Sequence, residues 1–386
     1  MSDGLTPSTI ERRIRAYESF GIHRTGWDGD DRSAAWMRDE LEAAGIEASI
    51  ERFGFPRVEL RRARLDLGGG TAIEGVPLYD GGFTPAGGIE GELVAPDASD
   101  LFGAVVVAND NDPAFALPRI SEQVERLQAE GVIGLVLVKS DPKGAITVIN
   151  AERIERPFAL PVLQVGRSDA RELAAAMIMG GEGRLEVDGE RLQSRASNVV
   201  ATLPGSDPEA APIGIMTPRS GWFTGASERG GGIAILLGLA EALAGRERRR
   251  GIELVASSGH ELHHQGLQAY LEARRGIEAR AHAWLHLGAN IGTSTGPVRV
   301  ESNEDGLRAL AEAAMREADV ERFEVISQKG GEARNIDEAG GRYISFRGGN
   351  DYFHSPNDTF DVACDAELAS GAGRAALAIV KRWLEE

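Results

Sequence analysis

The histidines of this chain cluster towards its C-terminal end. Six of the seven lie after residue 259, and most of them follow predicted strands or fall in loops. Imidazole is the commonest metal ligand in proteins and the commonest general base near neutral pH. Carboxylates accompany the histidines, so the group indicates a metal site or an acid–base site; its members are His260, His263, His264, His286, His354, Glu228, Glu261 and Asp358.

Residues 260–264 match the H-E-x-x-H pattern of zinc metalloproteases. In those enzymes the pattern lies on a helix, which places two imidazoles one turn apart with the glutamate as base. Here the match starts directly after a predicted strand at 252–256 and a turn at 257–259, and no third ligand follows at metalloprotease spacing. We therefore expect that this stretch is not a helical zinc site.

A regular β–α alternation after residue 197 must position these side chains. Strands are predicted at 199–203, 213–216, 252–256, 281–287 and 343–346, and helices at 232–243, 267–274, 305–316 and 365–384. The alternation predicts an α/β fold with a mainly parallel sheet flanked by helices. Ligands bind beyond the carboxyl ends of strands in such sheets, so Thr217, His260 and His286 are the first candidate positions.

The first half of the chain has a different texture. Helices are predicted within residues 8–46, followed by strands at 48–55 and 58–67. From about residue 78 to 187, short β-rich runs are separated by two predicted helices, 120–128 and 169–179, without any histidine. This pattern indicates an inserted β-rich module, for which a lid or a partner surface is the expected role.

Composition excludes several functional classes. The chain has 386 residues and a formal net charge of −18, which disfavours nucleic acid as a partner. It has one cysteine, so an internal disulfide is excluded, and no apolar run reaches the roughly 20 residues of a membrane span. The polar N-terminal segment lacks the features of a secretion signal, so a cytoplasmic location is expected.

Several motifs together resemble the M28 family of zinc aminopeptidases. Their order and spacing agree with the family over nearly the whole chain, and the inserted module resembles the protease-associated (PA) domain of many members. The resemblance implies an M28-like, phosphorylase/hydrolase-like catalytic domain at 1–80 and 195–386, with a PA-like insertion at 81–194. The motifs are Arg24–Gly26, Ser197–Ser206, Gly225–Gly232, Ser258–Glu261 with Gly266 and Tyr270, and Tyr352–Thr359.

The resemblance also implies metal ligands. In the family two zinc ions share a bridging Asp, and Glu228 stands at that position here. Glu261 and His354 stand where the second metal takes a carboxylate and an imidazole. The other half departs from the family, because Thr217-Pro218-Arg219 replaces its His-x-Asp. His286 replaces a ligand Asp and His260 replaces the general-base Glu, so a degenerate centre is expected.

The surviving residues predict one divalent metal ion held by Glu228, Glu261, His354 and His286, with His260 as general base or further ligand. Zinc is the family's metal, although manganese, iron or cobalt suits the same ligands. The predicted function is metal-dependent hydrolysis of an amide or related carbon–nitrogen bond. A metal ion would polarise the carbonyl group and supply hydroxide near neutral pH.

Arg219 and Arg229 are predicted at the same strand ends. A guanidinium group there would either act on the substrate, binding an anionic one by its carboxylate, or form a structural ion pair with Glu228 or Glu261. Trp222 and Tyr352, in glycine-rich loops, are expected to cover a substrate or to pack beneath the loops.

Three rival functions remain open from the sequence. The first is an aminopeptidase with a rebuilt two-metal site, and the second is a single-metal cyclase or lyase. The third is a binding protein without catalysis. In each catalytic case the expected partner is a small molecule or short peptide-like substrate, with neither nucleic acid nor membrane, and a homo-oligomer is left open.

Overall fold

The computed structural model describes residues 3–109, 112–115 and 119–386. The chain divides into two compact units. The first consists of Met1–Phe55, Arg195–Phe353 and Asn357–Glu386, and the second of Pro56–Ser194 and His354–Pro356. The second unit thus starts at residue 56 and includes the short segment His354–Pro356.

The strands of the described residues are numbered β1 to β14 in chain order. They are β1 (Ala48–Asp66), β2 (Ala72–Glu74), β3 (Val76–Pro77), β4 (Ile89–Val94), β5 (Val105–Asn109), β6 (Gly134–Val138), β7 (Val162–Val165), β8 (Glu182–Leu203), β9 (Ile213–Pro218), β10 (Ile252–Ser257), β11 (Trp284–Leu287), β12 (Val298–Ser302), β13 (Phe323–Val325) and β14 (Tyr343–Gly348).

The α-helices of the described residues are numbered α1 to α11, also in chain order. They are α1 (Pro7–Glu18), α2 (Asp28–Ala43), α3 (Ile120–Ala129), α4 (Ala170–Ile178), α5 (Gly231–Leu243), α6 (Gln265–Ala273), α7 (Ile277–Arg280), α8 (Asp305–Glu317), α9 (Ala333–Glu338), α10 (Phe360–Ala363) and α11 (Ala366–Glu385), with a π-helical turn at Ala226–Gly230. Within the described ranges, none of these helices has the length and apolar character needed to cross a membrane.

The sheet of the first unit has the strand order β13-β12-β14-β11-β9-β10-β8. The central strands β14, β11, β9 and β10 are parallel neighbours, whereas β12 and β8 run antiparallel to the strands they flank. Parallel strands are buried on both faces, which explains their nearly continuous apolar sequences. The predicted α/β fold with a mainly parallel sheet and flanking helices is confirmed for this unit.

Helix α5 is the most deeply buried helix of this sheet. Twelve of its thirteen residues are buried, so it is apolar all round rather than amphipathic. Its side chains share one core cluster with α1, α2, α8 and α11 and with the central strands. This packing fixes the strand ends, where the candidate residues lie. In the register, Ala256 lies beside Thr217 and His286 beside Ser345.

In the second unit the strand order is β8-β4-β5-β6-β7-β3. Strands β4 to β7 are parallel neighbours. Alternate residues of β5 and β6 face opposite sides: Val106 and Leu135 pack with α3, and Val105 and Val136 pack with α4. The module is therefore β-rich, with the two predicted helices packed against a parallel core.

Strand β1 differs from the sequence-based expectation of two strands. It runs for 19 residues without a break through Pro56. Proline lacks a backbone N–H and is tolerated where the strand donates no ladder bond at that residue. Residues of β1 belong to both compact units.

Candidate functional site

The candidate site of the first unit lies where the central parallel strands end. Thr217 is in β9, His260 follows β10, and His286 is in β11. Thr217 is buried, and its hydroxyl donates a hydrogen bond to the Leu287 carbonyl at 2.7 Å. Thr217 thus links two strands, and the residues able to do acid–base chemistry come from the neighbouring strand ends.

The segment after β10 is a turn, not a helix. His263 and His264 both have left-handed backbone conformations, with φ of 58° and 61°. Helix α6 begins only at Gln265. The H-E-x-x-H match therefore does not lie on a helix, as expected from its position directly after a strand. His263 is exposed.

Three imidazoles and one carboxylate form what we call the histidine cluster: His260, His264, His286 and Glu332. The ring centroids of His260 and His264 are 4.8 Å apart. His264 Nδ1 lies 2.7 Å from Asn335 Oδ1, and His286 Nδ1 lies 2.8 Å from Ser345 Oγ. Each of these two rings is thus held in one orientation by a neighbouring side chain.

Two buried rings of the histidine cluster, His264 and His286, are neutral at physiological pH. Burial lowers the pKa of His264 to about 3, with a further contribution from His260. Burial also lowers the pKa of His286 to about 3, against the opposing effect of Glu332. His286 Nε2 is buried and has no hydrogen-bond partner among the described residues. A neutral imidazole can accept a proton or bind a metal ion.

Glu332 was not among the residues predicted from the sequence. It is fully buried directly before α9, and its carboxylate oxygens lie 2.7 and 2.9 Å from Ser257 Oγ. His260 Nδ1 lies 3.5 Å from Glu332 Oε1. The one local signal was the Gly330-Gly331 pair before a helix start, because glycine often marks close backbone approach. A Cβ atom on Gly331 would lie 2.9 Å from His286 Cε1.

A second group, which we call the carboxylate cluster, contains Glu228, Glu261 and Asp358. Glu261 is buried and accepts three hydrogen bonds. Thr25 donates from its backbone nitrogen at 3.1 Å and from its hydroxyl at 2.6 Å, and Ser220 Oγ donates at 2.7 Å. Neutral donors of this kind stabilise the ionised form of a carboxylate.

Glu228 is neutralised by a cation instead. Its Oε1 lies 2.6 Å from a guanidinium nitrogen of Arg229, and both side chains are buried. Asp358 accepts hydrogen bonds of 2.9 Å from the backbone nitrogens of Ser227 and Glu228. Burial raises the pKa of Asp358 to about 7, with a further contribution from Glu228. These bonds fix the π-helical turn that carries Glu228.

Arg219 is a buried structural residue and is not exposed at the candidate site. It is fully buried and lies 2.6 Å from Asp30 Oδ1. It also donates to Ser33 Oγ at 2.7 Å and to the Ser197 carbonyl at 2.6 Å. With Arg229 equally buried, neither guanidinium group is available to a substrate carboxylate in this structure. Neither arginine therefore gives structural support for binding an anionic substrate.

The remaining predicted residues make other contacts. His354 belongs to the second unit, where its Nδ1 lies 2.7 Å from the Val148 carbonyl oxygen. Trp222 is 4% exposed and so packs beneath the surface. Tyr352 is half-buried, and its backbone nitrogen donates to Asn350 Oδ1 at 2.9 Å. Cys364 is partly buried, and burial raises the pKa of its thiol well above the usual range.

The residues do not fit the predicted metal ion. Within the described ranges, no three or more His, Cys, Asp or Glu side chains are placed so that they could hold a metal ion together. Glu228 faces a guanidinium group, and both carboxylate oxygens of Glu261 accept hydrogen bonds from protein groups. His286 has an arrangement typical of a ligand, because its Nδ1 is oriented by a side chain and its Nε2 has no hydrogen-bond partner among the described residues.

Comparisons with known proteins identify the fold. No family model and no curated protein sequence matches the chain. A zinc aminopeptidase of Bacillus subtilis has a similar structure, with a TM-score of 0.83 and 16% identity over 98% of this chain and 95% of that one.

Two further solved structures are similar. A peptidase M28 precursor of Shewanella amazonensis SB2B gives a TM-score of 0.78 at 19% identity, over 96% of this chain and 92% of that one. An aminopeptidase of Aneurinibacillus sp. strain AM-1 gives 0.73 at 15% identity, over 99% and 94%. The chain therefore has the mixed α/β fold of M28-type aminopeptidases.

Proposed function

We propose that this protein is a peptidase-like hydrolase that cleaves an amide or related carbon–nitrogen bond in a small molecule or short peptide-like substrate. The observation that carries the proposal is the histidine cluster, in which neutral imidazoles and a buried carboxylate meet at the carboxyl edge of a parallel sheet. Ligands bind at this edge in α/β folds. The similarity to aminopeptidase structures over nearly the whole chain supports the reaction class.

His260 is the proposed acid–base residue. Glu332 faces its Nδ1 at 3.5 Å, so the carboxylate would stabilise the ring when it becomes protonated. In the reaction, His260 would take a proton from a water molecule while the water oxygen bonds to the carbonyl carbon. When the carbon–nitrogen bond breaks, His260 would return that proton to the leaving amine.

A metal-dependent form of the same reaction is the second candidate. It is favoured by the arrangement of His286 and by the solved structure of a zinc aminopeptidase with the same fold. One divalent ion held by Glu228, Glu261 and His286, the predicted ligands that lie in the first unit, would supply Lewis acidity and hydroxide. It would require Glu228 to exchange Arg229 for the ion. Zinc content of protein purified without added metal tests this candidate, and about one equivalent per chain would favour it.

The main proposal is tested with the full chain and a panel of aminoacyl anilides, dipeptides and N-acyl amino acids, with amine release as the readout. We expect turnover of at least one class and a loss of at least about 100-fold in His260→Ala. The matched control is His263→Asn, because His263 is exposed and asparagine tolerates its left-handed backbone. Equal rates in the two variants, or no turnover by folded wild-type protein, would contradict the proposal.

A further inference from the structure

Arg229 is among the largest fully buried side chains of the protein. Its side chain is 0% exposed and that of Glu228 is 1% exposed, and the two charged groups are 2.6 Å apart. The Arg229 Nε also donates to the Ser220 carbonyl at 2.6 Å. A buried charge of this kind is tolerated only when it is paired and hydrogen-bonded. The pair is therefore a fixed part of the candidate site.

The backbone around the pair is fixed from two sides. Gly225 precedes the π-helical turn with a left-handed φ of 62°, and Asp358 binds the backbone nitrogens of Ser227 and Glu228. A Cβ atom on Gly221 would lie 3.5 Å from Glu228 Oε2. The Glu228 carboxylate thus lies against small residues on one side and a guanidinium group on the other.

The two buried glutamates of the carboxylate cluster are stabilised by different means. Glu261 accepts three hydrogen bonds from neutral donors, whereas Glu228 faces a full positive charge. A divalent cation bound to Glu228 would lie within a few ångströms of that guanidinium group. Like charges at this separation repel strongly in a buried environment. The Arg229 side chain and a metal ion therefore compete for the same carboxylate.

We infer that the Arg229 guanidinium replaces a divalent cation as the counter-ion of Glu228, so that the ion pair and metal binding at Glu228 exclude one another. This explains why the residues do not fit the metal ion that the fold resemblance implies. The inference has a specific consequence: removing the charge of Arg229 creates an affinity for a divalent cation that the wild-type chain lacks. It concerns binding alone and does not depend on the proposed hydrolase activity.

The test is calorimetric titration of the full chain with zinc chloride and, separately, manganese chloride. We expect Arg229→Met to bind about one ion per chain at least about tenfold more tightly than wild type, because a cation then neutralises Glu228. Arg229→Lys keeps the positive charge and is expected to behave as wild type. The double variant Glu228→Gln/Arg229→Met should lose the gained affinity, since no carboxylate remains at that position.

The stability of the variants keeps the inference falsifiable if Arg229→Met folds poorly. The double variant should fold, because replacing both partners of a buried ion pair is often neutral. Zinc should then raise the thermal unfolding temperature of Arg229→Met and leave that of the double variant unchanged. A wild-type chain that binds one ion and loses it on Glu228→Gln would overturn the inference. So would an Arg229→Met variant that gains neither affinity nor zinc-dependent stability.

Discussion

The carboxylate cluster and the histidine cluster lie in the same unit, but they differ in how their buried polar groups are paired. In the carboxylate cluster, Glu228 is paired with a guanidinium group and Glu261 is bonded by Thr25 and Ser220. In the histidine cluster, two buried rings are neutral, and His286 Nε2 has no hydrogen-bond partner in the described part of the chain. Carboxylates that are paired with groups of the protein have a structural role. An oriented neutral imidazole, in contrast, can accept a proton or bind a metal ion.

The largest expected effect concerns the structural role of the buried arginines. Arg219→Met should lower the free energy of unfolding by about 3–5 kcal/mol, because Asp30 would be left buried without its ion-pair partner. The matched control is Arg15→Met, which removes two exposed ion pairs, with Glu11 and Asp361, and should cost about 1 kcal/mol or less. Urea unfolding measures both. A similar small loss in the two variants would show that Arg219 is not a structural residue.

A second prediction uses a buried imidazole outside the histidine cluster. His23 stacks on Tyr17 with ring centroids 3.8 Å apart, and burial, with Arg219, lowers its pKa to about 3. Below about pH 6.5 the unfolded chain takes up a proton at this residue that the folded protein does not, so stability is lost as the pH falls towards 3.

Between about pH 7 and 5 this histidine should account for about 2 kcal/mol of lost stability. His23→Phe keeps a ring beside Tyr17 and should reduce the loss by that amount, as measured by urea unfolding at both pH values. If wild type and variant lose the same stability over this range, His23 is not a buried neutral ring.

A third prediction concerns the effect of the Glu332 charge on the proposed reaction. Glu332→Gln keeps the shape of the side chain but removes the charge that faces His260, so kcat should fall about tenfold with little change in KM. Glu338→Gln, in the same helical segment but exposed, is the control and should leave kcat unchanged. Equal kcat values for the two variants would remove Glu332 from the reaction.

The smallest effect is expected at the exposed member of the H-E-x-x-H match. His263→Asn should change the free energy of unfolding by about 0.5 kcal/mol or less, because surface substitutions rarely matter and asparagine tolerates a left-handed backbone. Chemical denaturation checks this. A loss of several kcal/mol would mean that His263 has a structural role that its exposure does not indicate.

Much of the fold was predictable because hydrophobic periodicity determines the elements. The β–α alternation after residue 197 predicted the parallel sheet and the strand ends that carry His260 and His286. The ion pair of Arg229 with its sequence neighbour was one of two alternatives open from the sequence. The partner of Arg219 was not predicted, because Asp30 lies 189 positions earlier, in α2, and such contacts depend on tertiary packing.

The same limit applies to the rest of the candidate site. Glu332 follows no strand and has no motif, so only the packed structure brings it to His260. The family resemblance predicts a metal ligand at His354, and its contact with the Val148 carbonyl oxygen is seen only in the structure. The residue types thus predicted which side chains could act as acids, bases or metal ligands. Long-range contacts determine which of these side chains are paired with other groups of the protein.

The most direct test of the account is hydrolysis by the wild-type chain before and after removal of metal ions with a chelator, followed by addition of zinc chloride. We expect activity towards the best substrate of the panel to stay within about twofold throughout, because His260 and Glu332 act without a metal ion at Glu228. Activity that disappears on chelation and returns with zinc would contradict it, and would show that the centre exchanges Arg229 for a metal ion.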